Sequence, residues 1–364
     1  MRLELIKRPQ QSAFFSAVSP LFALLLTLIA GVIIFTLLGK PPLAALYTYF
    51  IEPLSEVWQL HELAIKAGSL IMIAVGLSVA YRSNNWNIGA EGQFIMGGIA
   101  GSLIPILVPG FQNFMTLPLM LIFGFAGGAL YGAIPALLKT RFNTNEILTS
   151  LMLVYVAQLF LDWLARGVFR DPNGNNFPGS IRFPSAARLP EIDPAQGAAH
   201  WGFVLSIVAA VIVWAMMQYS LKGFEVKLLG ESPRAGRFAG FSSARMVFFA
   251  FLLSGGLAGL AGISEVSGAI GQLRENISPG YGFTAIIVAF LGRLNPIGTI
   301  AAGLVLALTY LGGEGAQMSL GISDKVARVF QGLILFFVLG CDTLIHYRIR
   351  LVFGDPAAKT AAEG

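Results

Sequence analysis

G-Q-F-I-M-G-G-I-A-G-S-L-I-P-I-L-V-P-G-F-Q-N-F-M-T-L-P-L-M-L-I-F-G-F-A-G-G-A-L-Y-G-A-I-P-A-L-L, residues 92–138, runs for 47 positions without one charged side chain. A helix needs about 20 mainly apolar residues to cross the roughly 30 Å hydrocarbon core of a bilayer. The stretch therefore holds two crossings, and Pro109-Gly110 marks a tight turn between them. Outward from it, the charges again fence apolar runs. Leu21 to Leu38 lies between Arg8 and Lys40, and residues 67–81 lie between Lys66 and Arg82. Further spans fall at about 145–166, 201–220, 246–268, 297–315 and 326–345. The run 277–292, bounded by Pro279 and Arg293, is short and reads either as a crossing or as a re-entrant segment. The fold expected is all-α, a polytopic membrane helix bundle of about 10 transmembrane helices with that one uncertain member.

Composition agrees. Of 364 residues 55% are apolar and only 12% charged, about half the charge of an ordinary soluble domain, and mean hydropathy is +0.73. This excludes a disordered chain, a nucleic-acid-binding domain and most soluble enzymes. Forty-two glycines suit helices that pack closely in lipid. Cys341 is the only cysteine, and His61, His200 and His346 are the only histidines, so neither an internal disulfide nor a metal site of usual spacing is expected.

The net charge of +5 reads as orientation rather than as an anionic ligand. With Arg2, Lys7 and Arg8 inside, the inside loops gain Arg82, Lys139, Arg141, Lys222, Lys227, Arg234, Arg237, Arg245, Arg293, Arg348 and Arg350. Both termini are then cytoplasmic, and the number of crossings is even. The first apolar run is too long for a signal peptide and is read as an uncleaved span. Residues 1–20 are expected as a cytoplasmic or interfacial segment, with 1–16 either an amphipathic surface helix or a disordered tail. Residues 21–345 form the transmembrane domain and 346–364 a cytoplasmic tail, disordered after Phe353. The outside loop 167–200 is expected to be an ordered, irregular cap.

No loop can hold a catalytic domain. The only Gly-Lys pair, Gly39-Lys40, is followed by Pro41, so no Walker A phosphate cradle exists and no cofactor is expected on this chain. The longest cytoplasmic loop, 221–245, contains Gly230-Glu231-Ser232-Pro233-Arg234-Ala235-Gly236-Arg237-Phe238-Ala239-Gly240. Ser232 as N-cap and Pro233 as first residue open a short basic helix that ends near Gly240. It reads as a docking helix for a cytoplasmic partner, or as a plain positive-inside loop. Glycines four apart, Gly124/Gly128/Gly132, Gly97/Gly101 and Gly255/Gly259, read as helix-packing seams.

Two junctions expected on the cytoplasmic side are rich in asparagine: R-S-N-N-W-N-I-G-A-E-G-Q (82–93) and K-T-R-F-N-T-N-E-I (139–147). Asparagine satisfies irregular backbone, and polar groups are costly in lipid. One reading is helix capping, with Asn145 or Thr144 as N-cap and Glu146 at the positive helix end. The other is a polar gate on a translocation path, built from Asn84, Asn85, Asn87, Glu91, Gln93, Asn143, Asn145 and Glu146. Asp162 and Glu265 fall near span ends, where solvation is expected to be cheap, so no acid is expected deep in a span.

These junctions also resemble a known family. N-W-N-I-G-A-E-G-Q (85–93), F-N-T-N-E-I-L-T-S-L-M-L (142–153), S-P-R-A-G-R-F-A-G-F (232–241) and G-Y-G-F-T-A-I-I-V-A-F-L-G-R-L-N-P-I-G (280–298) are similar, in order and spacing, to stretches of inner-membrane permease subunits of nucleoside and simple-sugar ABC importers, relatives of the ribose and branched-chain amino acid permeases. The resemblance implies four expectations: a cytoplasmic ATPase partner that carries ATP and Mg, a second homologous permease, an extracytoplasmic substrate-binding lipoprotein, and a place in the bacterial inner membrane. By fold analogy with the vitamin B12 importer, the two asparagine-rich junctions would form the cytoplasmic gate. One departure is that the E-A-A-like run of the family is Arg234-Ala235-Gly236 here. The alternative function is a stand-alone ion-coupled secondary transporter.

Overall fold

Helix α3 (Val57–Arg82) carries the apolar pattern to its limit: every residue from Ala67 to Tyr81 is buried. A helix apolar all round belongs at the centre of a bundle, with other helices on every side. The computed structural model describes residues 2–7, 13–174, 177–195, 197–323 and 325–352. They fall into two units, one of Tyr47–Ala327 and one of Met1–Leu46 with Arg328–Gly364.

In the larger unit α3 is followed by α4 (Ala90–Leu107), α5 (Thr116–Phe142), α6 (Glu146–Arg166) and α7 (Gly202–Tyr219). After these come α8 (Leu221–Glu231), α9 (Pro233–Phe238), α10 (Ser243–Glu265), α11 (Tyr281–Leu291) and α12 (Gly298–Leu320). Among the described residues, seven helices are long and apolar enough to cross a membrane: α3, α4, α5, α6, α7, α10 with its extension to Ile270, and α12. Ile122, Phe123 and Leu130 on α5, Met152 and Leu159 on α6, and Ile212 on α7 are exposed, as faces that meet lipid should be. Helix α11, with 11 residues, spans about 16 Å. That is half a hydrocarbon core, so the run 277–292 does not make a full crossing by itself.

The glycine seams do what their spacing implies. A Cβ on Gly128 would lie 2.7 Å from Gly259 Cα, and one on Gly132 would lie 2.6 Å from the Phe251 carbonyl oxygen. A Cβ on Gly97 would lie 2.5 Å from the Gly259 carbonyl carbon. Helices α4, α5 and α10 therefore meet backbone to backbone.

Helix α10 ends in one π-helical turn, Val266–Ile270, closed by Gly271 at φ +73. The described part of loop 167–200 lies along the segment that follows. Ser180 N donates to the Leu273 carbonyl at 2.8 Å, Phe183 N to Gly271 at 2.8 Å and Leu189 N to Ser267 at 3.2 Å. These bonds tie the described part of the loop to the segment 267–273. Arg166 at the end of α6 reaches both Asp162 and Glu275.

The smaller unit contains α1 (Ala13–Leu37) and most of α13 (Lys325–His346), with Phe35 and Phe330 ring centroids 5.5 Å apart. Its termini differ from expectation. Arg2–Lys7 (β1) is neither a surface helix nor a loose tail but pairs antiparallel with Tyr347–Val352 (β2), Arg2 opposite Val352 and Lys7 opposite Tyr347. Within them R-L-E-L (2–5) and R-I-R-L (348–351) alternate charged and apolar residues with period two, a strand pattern rather than a helical one. The tail expected to be disordered after Phe353 lies outside the described residues. A second difference is α8: the first half of loop 221–245 is helical, opened by the Ser220 hydroxyl accepting from Gly223 N at 3.2 Å. Helix α2 (Pro42–Phe50), starting on a proline, was not expected either.

Candidate functional site

The junction 83–89 between α3 and α4 has no regular structure, yet it is mostly buried. Asn87 is fully buried and uses its whole amide. Its Nδ2 donates to Gln93 Oε1 at 2.7 Å and to Ser254 Oγ at 2.9 Å, while its Oδ1 accepts from Gly89 N at 3.0 Å and Gln93 Nε2 at 3.1 Å. Ser254 stands eleven residues into α10, about 16 Å along its axis. The junction thus dips into the bundle, where irregular backbone is tolerated because protein groups satisfy it. The Tyr81 hydroxyl closes the turn by donating to the Asn87 carbonyl at 2.9 Å, and Ile88 N donates to Ser150 Oγ on α6 at 3.2 Å.

One step nearer the surface, Lys139 ties the two asparagine-rich junctions together. Its Nζ lies 2.9 Å from Asn85 Oδ1 and 2.6 Å from Glu146 Oε1. Asn85 also donates to the Ser83 carbonyl and hydroxyl, at 3.1 and 2.9 Å. On the second junction Asn145, not Thr144, caps α6: its Oδ1 accepts from Ile147 N at 2.9 Å and Leu148 N at 3.4 Å. Asn143 ends α5 in the left-handed region at φ +53. Asn84, at φ +57, and Asn143 are both exposed. Glu91 lies apart from this network, against the start of α11, where its Oε2 accepts from Gly282 N at 2.6 Å.

The eight polar residues singled out in the sequence therefore divide. Asn87 and Gln93 bond to each other and, through Asn87, to Ser254; Asn85 and Glu146 bond to Lys139; the Asn87 N–H, donating to the Asn85 carbonyl at 3.2 Å, links the two sets; Asn145 caps a helix, Glu91 holds α11, and Asn84 and Asn143 stand at the surface. Ser254, Ser150 and Tyr81 complete the network without having been visible, since one hydroxyl in an apolar span has no distinguishing pattern.

Helix α9 opens at Pro233, after Ser232 in the N-cap position but with no side-chain cap bond, and Gly240 follows at φ +83. Arg234, Arg237 and Phe238 all point outward; Phe238 is 95% exposed. Behind them Gly236 packs on α8, a Cβ there lying 3.0 Å from Leu229 Cγ. At the end of α8, Gly230 rests on α3, where a Cβ would lie 3.0 Å from the Arg82 carbonyl carbon. The hairpin of α8 and α9 is seated on the residue that begins the first asparagine-rich junction.

The description "branched-chain amino acid transport system / permease component" matches residues 59–339, which hold both junctions, the α8–α9 hairpin and α11. The chain belongs to that permease family. A glucose ABC transporter permease of Haloferax volcanii is 33% identical over all of this permease and 98% of its own length. A guanosine ABC transporter permease of Bacillus subtilis is 29% identical, covering 94% of this permease and 97% of that chain. A nucleoside ABC transporter permease of Lactococcus lactis is 28% identical, over 88% and 89%. The permease is a multi-pass membrane protein and a transport subunit.

The opposite face corrects one expectation. Glu265, expected to be solvated at a span end, is buried and accepts from the Ser69 hydroxyl at 2.7 Å, because α3 and the cap loop close over the end of α10. His200 lies beside this region, buried, with Nδ1 accepting from Gly202 N at 3.2 Å. Its ring is wedged so that a Cβ on Gly268 would lie 2.5 Å from His200 Cδ2. Burial pushes the His200 pKa down to about 4. Between about 6.5, the unfolded value, and 4, the unfolded chain takes up a proton that the folded permease refuses, so stability falls as pH falls through that window. The loss should reach on the order of 3 kcal/mol near pH 4. In thermal melts, His200→Gln should flatten the acid-side decline; equal slopes in both proteins would refute it.

Proposed function

We propose that the permease is the membrane-spanning half of an ATP-driven importer that passes nucleosides or simple sugars across the bacterial inner membrane by alternating access. Its ATPase partner carries ATP and Mg; a second homologous permease completes the pathway, and an extracytoplasmic binding lipoprotein delivers the solute. The relatives named for glucose, guanosine and nucleosides support the solute class. No comparison favours a stand-alone ion-coupled carrier.

The observation that carries the mechanism is the seat of the α8–α9 hairpin on Arg82, next to Ser83 and the Asn85 network. Helix α9 offers Arg234, Arg237 and Phe238 to the ATPase. Motion of the closing ATPases is passed through Gly230 to the root of the first junction. Lys139 carries it to the second junction through Asn85 and Glu146. The exposed Asn84 and Asn143 border the gate, while Asn87 and Gln93 form its fixed base.

Arg234→Glu with Arg237→Glu tests this reading. In the reconstituted complex with ATPase and binding protein, solute-stimulated ATP hydrolysis and uptake should both fall about tenfold or more, a loss of roughly 1.4 kcal/mol or more in coupling. Undiminished stimulation would remove the docking role. Gradient-driven uptake by the permease alone in liposomes would overturn the importer reading itself.

A further inference from the structure

The amino ends of α4 and α11 abut inside the larger unit. Glu91 sits in the first turn of α4. Gly282, second residue of α11, packs so tightly on it that a Cβ would lie 2.5 Å from Glu91 Cα. Each helix amino end carries roughly half a positive charge from its unpaired amides. Two such ends facing each other repel.

Glu91 meets both. It is 5% exposed, and Oε2 accepts from Gly282 N at 2.6 Å. Just before α11, Ser278 Oγ accepts from Gly280 N at 3.1 Å and Tyr281 N at 3.0 Å. Gly282 N donates toward Glu91, as a backbone amide at a helix amino end does toward a carboxylate. Among the described residues no basic side chain forms an ion pair with Glu91. The two helix ends are its counter-charge.

We propose that Glu91 is a positioning residue: as a resident carboxylate it neutralises the abutting amino ends of α4 and α11 and so fixes the short helix α11 in the bundle. The consequence for transport rests on the importer reading above. Helix α11 carries Thr284, whose hydroxyl lies 2.8 Å from the Tyr310 hydroxyl of α12, and Tyr281, whose ring packs 5.6 Å from that of Tyr310. Loosening α11 therefore disturbs α12 as well. Glu91 acts on the gate cycle through α11 and not by touching solute.

The test separates charge from packing. Purified Glu91→Ala permease should melt at least about 5 °C below the parent, and millimolar formate should restore half of that or more. Formamide, neutral and of the same shape, should restore little. The parent should respond to neither. Equal melting of parent and variant, or equal rescue by formate and formamide, overturns the proposal. Should Glu91→Ala not fold, Glu91→Gln keeps the shape without the charge and should still melt clearly lower; melting like the parent overturns the proposal. In the complex, Glu91→Gln should lower the maximal rate of uridine or glucose uptake at nearly unchanged KM; a rise in KM alone would make Glu91 a solute contact and overturn the positioning role. The melts need no solute. If the parent complex takes up none of guanosine, uridine and glucose, the nucleoside-or-sugar importer reading fails while the melting result stands.

Discussion

Gly128→Val is expected to leave the permease without a monodisperse folded state in detergent. Gly128 lies where α5 crosses α10, and a Cβ there would overlap the Gly255 carbonyl oxygen and sit 2.7 Å from Gly259 Cα. Those are backbone atoms, so no side chain can rotate out of the way. Relief requires α5 and α10 to separate, which opens the Gly124–Gly259 and Gly132–Phe251 contacts at the same time. Overpacking in soluble cores costs about 1–3 kcal/mol where side chains can shift. Here the loss should exceed that range, because in lipid close packing is itself the force that joins helices. Gly110→Ala is the control, since no atom stands within 4 Å of a Cβ at that turn. Size-exclusion profiles and thermal melts of both variants decide the matter. A monodisperse Gly128→Val protein with the parent melting point would refute backbone-to-backbone packing at this crossing.

That seam was legible in the sequence, and so were most spans, because in a chain with so few charges each charge marks a boundary. What the sequence hid is depth. The junction 82–93 reads as a cytoplasmic-side junction of capping or gate residues, with Arg82, Asn84, Asn85 and Asn87 in it, but burial depends on whether neighbouring spans hold a partner at the same level. Ser254 and Ser150 are those partners, and each is one serine in an apolar helix. Glu265 was misjudged for the same reason: its position at the end of α10 suggested water, while Ser69 and the cap loop enclose it. The paired strands Arg2–Lys7 and Tyr347–Val352 lie at opposite ends of the chain, so neither period-two stretch shows its partner locally. Asn145 and Pro233 were legible because capping is settled within four residues of chain.

Asn87→Leu is the second large expected effect, and it distinguishes a pin from a gate. The substitution leaves Gly89 N without its acceptor, and it leaves the Gln93 amide and Ser254 hydroxyl without their buried partner. Side-chain hydrogen bonds between helices in membranes average only about 0.6 kcal/mol, but orphaning a buried group costs about 1–3 kcal/mol. The sum should be about 2–4 kcal/mol of lost stability. Gln93→Leu should cost less, since it leaves Asn87 bonded to Gly89 and Ser254. The double substitution should cost less than the two single losses added, by about 1 kcal/mol or more, because the second change removes a group the first had already orphaned. Additive losses would mean the two amides are not one unit. Asn84→Gly, at a left-handed exposed position, should leave stability unchanged. If it slows uptake in the complex while Asn87→Leu lowers the melting point, the junction has a fixed base and a moving rim. If Asn87→Leu instead slows uptake at full stability, Asn87 belongs to the moving part and the hydrogen bonds around it break during each cycle.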